Sequence, residues 1–523
     1  MMKLNKSLLF ACVWAVSFVS QMYAKKGKKP NVLVIYTDDH RYTGVHALGG
    51  QVVRTPYMDQ LANDGIAFTN TFLMGAFTGA TSVASRAMLM TGRNLFQQDG
   101  VGHTIQKENT TLGEAFRQAG YYAYHVGKWH QDFASLARSF DGGGKVSGKP
   151  AYLTDQYRMP YSDWNPEGIY KPENSYLLEY DKEGKVIRRP FSKTDKRGPV
   201  GTENTGPHVS EVLADDAVEF IGKYIRNSRF SCIWLFLDDP RQAPQKYKDM
   251  YPEEQIQLLP SYMPQHPFDN GHYVLRDEML GEWPRTEEIA RKHLSDYYAI
   301  ITHLDDQIGR VIKELKRSGE YENTVILFAG DSGLAVGNHG LLGKQNLYDE
   351  DGIHVPFIIS GGLIKEEDKG RREDAFCYIH DIMPTACDLA NIPVPASVTG
   401  KSLLPVIERE KEQIRDYTYH AYLQYQRAYR KGDYKLIEYV RAPEIDVKGN
   451  KTIRGSYVTQ LFNVTKDPWE VFNLAYFPEY KELLGTMQAE MKSKAMELGD
   501  TADGKRVKID FWEYYKKSGE DKK

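Results

Sequence analysis

The sequence predicts an α/β protein with a large, mostly parallel sheet covered by helices on both faces, followed by a small C-terminal antiparallel-sheet subdomain. Short runs of consecutive apolar residues fit strands that are buried on both faces. Helical patterns alternate with those runs along the chain, which is typical of a parallel sheet. Further along, beyond residue 409, apolar and polar residues alternate as they do in antiparallel strands.

Five apolar runs are the candidate strands of the parallel sheet. Four of them lead directly into carboxylates, lysine or histidine, at the strand end where α/β enzymes place their reactive groups. The five runs are Val32–Tyr36, Tyr121–Val126, Ile233–Leu237, Thr324–Phe328 and Phe357–Ile359.

Helical patterns separate these strands. They lie at Asp59–Gly65, Leu112–Ala119, Glu211–Arg226 and Arg291–Ser318. Alternation of strand and helix predicts that the strand ends gather at one edge of the sheet. The segment Phe140–Gly206 has little periodicity and is rich in Gly, Pro and Tyr, so we expect loops there.

The sequence divides into a large catalytic domain at residues 25–409 and a C-terminal subdomain at residues 410–523. In the subdomain, Tyr434–Tyr439 and Thr452–Phe462 alternate like antiparallel strands, and Pro478–Leu498 is helical. We expect the subdomain to be a short antiparallel sheet packed with this helix.

Composition excludes several classes of protein. The chain has 523 residues, of which 41% are hydrophobic and 26% charged, and this argues against a disordered chain, a collagen-like chain or a coiled coil. The net charge of −3 gives no overall bias toward nucleic acid or an anionic membrane.

The first residues resemble a secretory signal peptide. Lys3 and Lys6 precede the apolar run Ser7–Val19, and a polar stretch ends at Ala24, where cleavage is plausible. The run is too short to span a bilayer, so no transmembrane segment is expected in the mature protein. A lipoprotein site at Cys12 is the less favoured alternative, because the apolar run continues past it.

Three cysteines follow the predicted signal peptide: Cys232, Cys377 and Cys387. An exported protein of this size with three cysteines is not a disulfide scaffold. At most one pair can form, and Cys377 with Cys387 is a weak candidate.

Carboxylates at the strand ends predict a metal site. Asp38 and Asp39 follow the first strand, and Asp331 follows the fourth. One such aspartate would usually be a turn or a helix cap, but several strand ends together favour a cation that holds the charges close. Carboxylates are hard oxygen donors suited to Ca²⁺ or Mg²⁺, and no HExxH or CxxC zinc pattern is present.

A second candidate site is the segment Gly75–Arg93. Its glycine-containing loop leads into a helix that starts near Ser82 and is predicted to stop at Gly92. Ser82 and Arg86 are four residues apart and share a helix face. An oxygen nucleophile beside an arginine at a helix N-terminus is suited to attack on an oxyanion ester. Taken alone, Ser82 would be read as an N-cap and Arg86 as a solvated arginine.

Here the sequence resembles the sulfatase family. Ser82–Arg86, followed by Thr91–Arg93, is similar to the family signature of Cys or Ser, any residue, Pro or Ala, any residue, Arg, and then TGR. The resemblance extends in order over nearly the whole mature chain. It includes Asp38–Asp39, Gly127–His130, Asp331–Gly333, Asn338–Gly340, Gly343–Lys344, Leu461–Asn463, Asp467–Pro468, Glu470 and Asn473–Leu474.

The resemblance implies that Ser82 is oxidised to formylglycine, whose hydrate attacks sulfur. It also implies that Arg86 holds this hydrate, that Lys128 and Lys344 bind sulfate oxygens, and that His130 orients or deprotonates the hydrate. A serine at this position is similar to the family members that anaerobic maturases modify in bacteria. The partners implied are therefore such a maturase and a sulfated saccharide, and the localisation implied is periplasmic or cell-surface.

The metal implied by the resemblance is Ca²⁺, held by Asp38, Asp39 and Asp331, which would offset charge on the sulfate. The family usually has Asn or His after the third aspartate, whereas this chain has Ser332, a weaker oxygen donor. Ser332, a water or Asn338 could complete the metal shell.

A second departure concerns the proton donor for the leaving group. The family often reads Pro-His-Asp-Pro-Arg at this point, and alignment on Asp239–Arg241 puts Asp238 at the histidine position. Asp238 could act as the acid if burial and neighbouring anions raise its pKa. The alternatives are that His266, His272 or another histidine supplies the proton, or that activity is reduced.

The substrate is expected to be a sulfated carbohydrate, and its sugar and sulfate position stay open. His272 and Arg276 lie in a segment that resembles a pocket-covering loop of glycan sulfatases, and His339 could border the pocket or make a structural hydrogen bond. For the tyrosines of the Phe140–Gly206 segment, ordinary packing is favoured over stacking on sugar; they include Tyr157, Tyr161 and Tyr170.

Two other functions remain possible from the sequence. The first is a phosphoester hydrolase of the same superfamily, in which unmodified Ser82 attacks phosphorus. Such enzymes usually hold two zinc ions with extra His and Asp ligands, and Ser332 argues against this. The second is a catalytically weakened glycan-binding relative, which the departures at Asp238 and Ser332 motivate.

Overall fold

A computed structural model describes residues 29–148, 150–195, 205–224, 231–237, 242–272, 275–441, 444–445, 452–453, 456–500 and 511–512. The predicted signal peptide at residues 1–24 lies outside the described residues. So does Asp238, the predicted acid, together with the rest of 238–241.

The strands are numbered in chain order. They are β1 (Asn31–Thr37), β2 (Ile66–Phe68), β3 (Thr71–Phe72), β4 (Gly75–Ala76), β5 (Tyr122–Lys128), β6 (Gly142–Ser147), β7 (Ser162–Asp163), β8 (Tyr176–Tyr180), β9 (Val186–Pro190), β10 (Ser231–Leu237), β11 (Thr324–Gly330), β12 (Phe357–Ser360), β13 (Arg371–Glu373), β14 (Cys377–Tyr378), β15 (Tyr417–Tyr422), β16 (Gln426–Lys431), β17 (Tyr434–Arg441), β18 (Glu444–Ile445), β19 (Thr452–Ile453) and β20 (Ser456–Asn463).

The α-helices are numbered in the same way. They are α1 (Pro56–Asn63), α2 (Thr81–Thr91), α3 (Leu112–Gln118), α4 (Phe133–Ser139), α5 (Val209–Tyr224), α6 (Gln245–Lys248), α7 (Glu287–Ser318), α8 (Ile382–Leu389), α9 (Leu404–Ile407) and α10 (Lys481–Leu498).

Within the described residues, nine strands form one large sheet in the order β13-β2-β12-β11-β1-β10-β5-β6-β7. The central strands β11, β1, β10, β5 and β6 are parallel to one another. The prediction of a mostly parallel sheet is therefore confirmed. The fifth predicted strand, β12, is antiparallel to β11. No α-helix lies between β11 and β12, and a parallel return usually needs a helical crossover.

The prediction of loops over Phe140–Gly206 was partly wrong. This segment contains β6 and β7 at one edge of the large sheet, and the β8–β9 hairpin. The sequence of β6, GGGKVS, has a single apolar residue, so it gives no apolar run to detect. Its pairing with β5 comes from backbone hydrogen bonds, which leave no side-chain pattern.

Alternate side chains along β1 belong to two hydrophobic cores, one on each face of the sheet. Val32, Val34 and Tyr36 point into one core, whereas Leu33 and Ile35 point into the other. Helices α1, α5 and α7 cover the second face, and α2, α3 and α8 cover the first. The sheet is thus buried on both sides, as its continuous apolar runs predicted.

A smaller sheet has the strand order β20-β17-β16-β15-β4, and helix α10 packs beside it. Its last member, β4, comes from the N-terminal region and pairs in parallel with Ala421 and Tyr422 of β15. Gly75 in β4 has a φ of 118°, and a Cβ there would collide with the carbonyl oxygen of Ala421. The C-terminal strands are therefore continuous with the segment that leads into α2.

Two further expectations can be compared with the structure. No helix among the described residues is long and apolar enough to cross a bilayer. Cys377 and Cys387 are both buried free thiols, and Cys377 Sγ lies 2.9 Å from Thr71 Oγ1. The weak candidate disulfide is therefore not formed.

Candidate active site

The ends of β1 and β11 bring two acidic segments side by side. Thr37 and Gly330 are paired in register at the ends of these neighbouring parallel strands. Asp38 and Asp331 are the next residues, and the Asp331 N–H donates to the Thr37 carbonyl at 2.9 Å. Sequences 290 residues apart thus meet because their strands are adjacent and parallel.

Asp38, Asp39 and Asp331 form a compact group of buried carboxylates. One oxygen of each lies within 4.8 Å of the others. Asp39 has a φ of 50°, a left-handed conformation that aspartate tolerates better than most residues, and its N–H donates to Asp331 Oδ1 at 2.9 Å. Three hard oxygen donors at this spacing fit a cation such as Ca²⁺.

Ser332 lies at the edge of this carboxylate group. Its hydroxyl is 3.2 Å from Asp39 Oδ1 and 3.1 Å from Asp331 Oδ1. Asn338, the alternative donor, instead gives its amide to Asp351 Oδ1 at 2.7 Å. Of these two side chains, Ser332 is therefore the one placed to complete a metal shell.

Helix α2 places Ser82 in its first turn and Arg86 one turn later. The helix ends at Gly92, which adopts the left-handed conformation with a φ of 61°, as the sequence predicted. Arg86 is 1% exposed and bridges two aspartates, with Nη1 2.6 Å from Asp331 Oδ2 and Nη2 2.8 Å from Asp38 Oδ2. The guanidinium therefore ties the ends of β1 and β11 to the nucleophile helix.

A second contact between α2 and the strands, which Ser85 makes, was not predicted from the sequence. The Ser85 hydroxyl donates to the carbonyl of Asp331 at 2.7 Å and lies 2.5 Å from the hydroxyl of Tyr36. Both side chains are buried, and Tyr36 points from β1 toward α2. The hydroxyl of Tyr36 in the otherwise apolar run of β1 was the feature of the sequence that could have indicated this contact.

Two lysines surround the serine and the carboxylates. The Ser82 hydroxyl donates to Asp38 Oδ1 at 3.2 Å and accepts from Lys344 Nζ at 3.1 Å. Lys344 also pairs with Asp39, and Lys128 Nζ lies 2.9 Å from Asp38 Oδ2. Ser82 therefore lies directly between an ammonium and a carboxylate.

These pairs set the charge states of the group. Burial alone would raise the pKa of Asp38, but Lys128, Arg86 and Lys344 outweigh it and hold that pKa well below its usual value. Burial would lower the pKa of Lys344, but Asp39 and Asp38 raise it well above its usual value. Both groups are therefore charged at neutral pH.

His130 lines the same cavity and is half-buried. Burial lowers its pKa well below the usual value, and the positive charges of Lys128 and Arg86 lower it further. The imidazole is therefore neutral at neutral pH, which is the state that can accept a proton.

Several of these groups line one cavity of about 300 Å³. Of the six predicted catalytic residues, four line it, namely Ser82, Lys128, His130 and Lys344. Arg86 does not line it, and Asp238 is outside the described residues. The lining residues are Asp38, Asp39, Gly79, Ala80, Ser82, Lys128, His130, Tyr152, Leu275, Arg276, Asp277, Lys344 and Gln345.

The wall of this cavity includes residues that sequence reasoning did not single out. Gln345 Nε2 donates to Asp277 Oδ2 and to the Gly79 carbonyl, both at 2.9 Å. Arg276, a predicted substrate contact, does line the cavity and pairs with Asp277 at 2.8 Å. Asp277 follows Arg276 in the sequence, and Gln345 follows Lys344. This proximity to predicted site residues was the sequence feature that could have placed them at the cavity.

The other predicted contacts lie off the cavity wall. His272 Nδ1 is 2.8 Å from the Tyr422 hydroxyl, beside Gly79 at the cavity edge. His266 is buried and its Nδ1 is 2.8 Å from the carbonyl of His339. Neither histidine lines the cavity that holds Ser82.

His339 is held within the fold. Its Nδ1 is 2.6 Å from Asp351 Oδ2, its Nε2 is 3.2 Å from the Glu470 carbonyl, and its ring stacks on Tyr348 at 3.7 Å. Both ring nitrogens are thus occupied, which favours the structural alternative for His339 over substrate contact.

The three tyrosines that the sequence analysis named in the 140–206 segment make packing contacts within the fold. Tyr157 and Tyr161 are buried, and Tyr170 stacks on Phe133 at 4.3 Å. Tyr152 is the tyrosine of this segment that lines the cavity, where its ring lies 5.9 Å from Lys128 Nζ.

Comparison with known proteins gives two family matches. The sulfatase family model matches residues 30–392, and a model described as the C-terminal region of N-sulphoglucosamine sulphohydrolase matches residues 337–497. The chain is 26% identical to an N-acetylglucosamine-6-O-sulfatase of Bacteroides thetaiotaomicron, over 94% of this chain and 92% of that protein. It is also 26% identical to an ulvan-active sulfatase of Formosa agariphila, over 94% and 86%.

Solved structures share the fold. One, bound to its substrate D-glucosamine-2-N,6-O-disulfate, matches 92% of this chain and 100% of that chain, with a TM-score of 0.68 and 20% identity. A phosphonate monoester hydrolase of Agrobacterium radiobacter matches 90% and 97%, with a TM-score of 0.65 and 19% identity.

Proposed function

Because the chain belongs to the sulfatase family, and so is a sulfuric ester hydrolase, we propose that it removes sulfate from a saccharide by attack from position 82. The observation that carries the proposal is the position of Ser82 between Lys344 and Asp38 in a cavity with Lys128 and His130. The named relatives that act on N-acetylglucosamine sulfate and on ulvan support a glycan substrate.

The bound sulfate would lie against the two lysines. The ammonium groups of Lys128 and Lys344 both face the cavity and can pair with sulfate oxygens as point charges. Each already pairs with an aspartate, so substrate oxygens would share these ammoniums with Asp38 and Asp39. Lysines held charged in this way stabilise the charge that builds up on the sulfuryl oxygens.

His130 would act as the proton acceptor for the hydroxyl at position 82. It is neutral at neutral pH because of burial and of the positive charge nearby. Arg86 would act by position: it fixes Asp38, Asp331 and the helix that carries Ser82 in one arrangement.

The residues present fit the two groups that the family implies. Asp38, Asp39, Asp331 and Ser332 would hold Ca²⁺, because they offer hard oxygens in one buried group. A bound Ca²⁺ would supply positive charge beside the sulfate. A formylglycine hydrate at position 82 would supply a hydroxyl for attack and a second one for releasing sulfate.

We propose Asp238 as the proton donor for the leaving group, with His266, His272 or another histidine as the alternative. The strand β10 lies between β1 and β5, whose ends carry Asp38 and Lys128, and Asp238 is the residue that follows β10 in the sequence. Asp238→Asn should reduce turnover at least about 100-fold if Asp238 is the acid. Unchanged turnover in that variant would indicate that a histidine, rather than Asp238, donates the proton to the leaving group.

Mass spectrometry of the peptide that contains Ser82, from the native host, tests the nucleophile. We expect Ser82 to have lost two hydrogens, and the protein to release sulfate from at least one of a panel of sulfated monosaccharides and disaccharides. The Ser82→Ala protein is the matched control and should release none. An unmodified serine in an anaerobic native culture, with no sulfate release, would refute the proposal.

A phosphoester hydrolase is the second candidate, and the fold is shared with a phosphonate monoester hydrolase. Two zinc ions would need histidine ligands, but the group of potential metal ligands found in the described part of the chain has carboxylates alone. Sulfate release should therefore exceed phosphate release from matched p-nitrophenyl esters, and the opposite ratio would favour this candidate.

We also propose export from a bacterial cell through the signal peptide at residues 1–24, with modification of Ser82 by an anaerobic maturase before folding. The charged start and apolar run of that segment support export. Cell fractionation with an N-terminal deletion tests it, since the deleted protein should stay in the cytoplasm.

A further inference from the structure

A second cavity of about 200 Å³ lies outside the site described above. It opens between the loop at residues 49–52, the loop at residues 257–260, helix α7 and the turn after β20. Its lining residues are Arg41, Thr43, Gly49, Gly50, Gln51, Val52, Gln257, Leu258, Leu259, Pro260, Tyr298 and Trp469. None of them lines the cavity of Ser82, so the two cavities are separate.

Arg41 forms the floor of this second cavity. It is 1% exposed, its Nε donates to Thr43 Oγ1 at 3.0 Å, and its Nη1 donates to the Leu334 carbonyl at 3.4 Å. Within the described part of the chain, Nη2 makes no hydrogen bond. A buried guanidinium with an unused donor at a cavity wall is a polar anchor for a ligand.

The charge of Arg41 is largely compensated. Glu350 Oε2 lies 4.0 Å from Arg41 Nε and also accepts from the Thr43 hydroxyl at 2.7 Å. Burial would raise the pKa of Glu350, but His354, Arg41 and Thr43 hold it below its usual value. The cavity is therefore close to neutral, which disfavours a free anion as its ligand.

Trp469 supplies an aromatic face. Its ring is partly exposed, lies 6.0 Å from the Arg41 guanidinium carbon and lines the cavity together with Tyr298. The exposed amides of Gln51 and Gln257 stand at the rim and can each donate and accept hydrogen bonds. An apolar aromatic face with a few polar groups that both donate and accept matches the two faces and the hydroxyls of a pyranose ring.

From these features we propose that the Arg41–Trp469 cavity binds one neutral, unsulfated sugar unit of a glycan. The volume suits a ligand of that size, since it is below the roughly 300–1,000 Å³ of typical drug-sized ligand sites. The choice of a saccharide rests on the proposed function, whereas the site itself rests on the cavity and its side chains. Its effect is to hold a glycan chain on the protein while sulfate is removed elsewhere.

Binding of desulfated probes tests the site without turnover. The probes are methyl galactoside, methyl N-acetylglucosaminide and inorganic sulfate, titrated into the Ser82→Ala protein and followed by ligand-observed NMR. We expect at least one glycoside to bind, with an affinity at least about 10-fold weaker after Trp469→Ala or Gln257→Ala. Trp469→Phe should retain binding within about threefold, since it keeps an aromatic face.

Phe472→Ala is the matched control, because Phe472 is an exposed aromatic residue in the same turn that does not line the cavity. It should bind the glycosides as Ser82→Ala alone does. The proposal is overturned if neither glycoside binds, if Trp469→Ala and Gln257→Ala bind them unchanged, or if inorganic sulfate alone depends on Trp469. Sulfate release from a monosaccharide by the Trp469→Ala enzyme, with Ser82 intact, should be unchanged, so failure of this site and failure of the proposed function give different results.

Discussion

At the residue scale, Arg86 joins the two strand ends that carry the carboxylates. Its two terminal nitrogens each bond a different aspartate, one following β1 and the other following β11. A lysine has one ammonium and cannot reproduce this fork. The geometry therefore requires an arginine at this position.

Arg86→Lys should lower kcat/KM by at least about 100-fold, or about 3 kcal/mol of transition-state stabilisation. The reason is that one ammonium cannot fix both Asp38 and Asp331. Steady-state kinetics on a sulfated saccharide measures this loss in kcat/KM. Arg93→Lys, on a nearby surface-facing arginine that bonds backbone carbonyls, is the control and should stay within about threefold. Equal losses in the two variants would contradict the assignment.

Glu470 predicts a pH dependence of stability. Burial raises its pKa to about 7, against the opposing effect of Lys435, so between pH of about 4.5 and 7 the folded state binds more protons than the unfolded state. The free energy of unfolding should therefore fall as pH rises through that window, by up to about 3 kcal/mol from this group. Urea unfolding at pH 5, 6 and 7 measures it.

Glu470→Gln removes this titration, so its unfolding free energy should change less over the same window. A variant that keeps the full slope of the natural protein would show that other groups cause it. Glu490→Gln is the control, because Glu490 is a partly exposed partner of Lys431, and this variant should keep the slope.

The sequence predicted several charged residues that the fold brings together at the cavity, but it did not predict the residues that contact them. Asp38, Lys128 and Asp331 were found because each ends an apolar run, a pattern that the local sequence contains. Ser85 and Asp277 were not, because their roles depend on contacts with residues far along the chain. Periodicity carries no information on such contacts.

At the scale of elements, the loop that carries Lys344 is anchored on the C-terminal sheet. Lys435 of β17 is fully buried and pairs with Asp349, while its Nζ is 2.7 Å from Glu470 Oε1. The N–H of Asp349 donates to Glu470 Oε2 at 2.6 Å. The C-terminal strands thus hold the 344–353 loop at the cavity.

Lys435→Met should destabilise the protein by about 3–5 kcal/mol, because it leaves two buried carboxylates without their ammonium. Lys431→Met is the control on the neighbouring strand. Its pair with Glu490 is largely exposed, so we expect a loss of about 0–1 kcal/mol. Chemical denaturation measures both, and similar losses in the two variants would contradict the burial argument.

Gly75→Ala should prevent stable folding, because its Cβ would meet the Ala421 carbonyl at a backbone with a positive φ. Gly432→Ala is matched in having a positive φ, but nothing lies within 4 Å of its Cβ. It should fold and lose only about 1 kcal/mol. Soluble yield and thermal unfolding separate the two; a soluble Gly75→Ala protein of normal stability would refute this.

Strands were predicted correctly where their side chains form a run of apolar residues. The strands β1 and β11 were predicted from apolar runs, and β6 was missed because glycines dominate it. The pairing of β4 with β15 could not be predicted, since two residues carry no periodic signal and the partner is distant.

At the scale of the whole molecule, we expect the stability of the protein to depend on a cation bound by Asp38, Asp39 and Asp331. Binding to the folded state alone stabilises it by RT ln(1 + [L]/Kd), about 2.7 kcal/mol when the cation is at 100 times its Kd. Calcium should therefore raise the melting temperature of the EDTA-treated protein. Differential scanning calorimetry with and without millimolar Ca²⁺ measures it.

Asp39→Asn is the control variant, because it replaces one carboxylate of the group with a neutral amide and leaves the Arg86 bridge in place. Its melting temperature should respond less to calcium than that of the natural protein. A natural protein whose melting temperature is the same with EDTA and with calcium would contradict the site.

The pairing of β4 with β15 also bears on the order in which the chain is made. Roughly 340 residues separate Gly75 from Ala421, and at about 5–20 residues per second their synthesis takes tens of seconds. During that time β4, which precedes Ser82 in the sequence, lacks the partner strand that it has in the folded protein. The proposed maturase would therefore have an interval of this length in which to reach Ser82 before β15 is available to pair with β4.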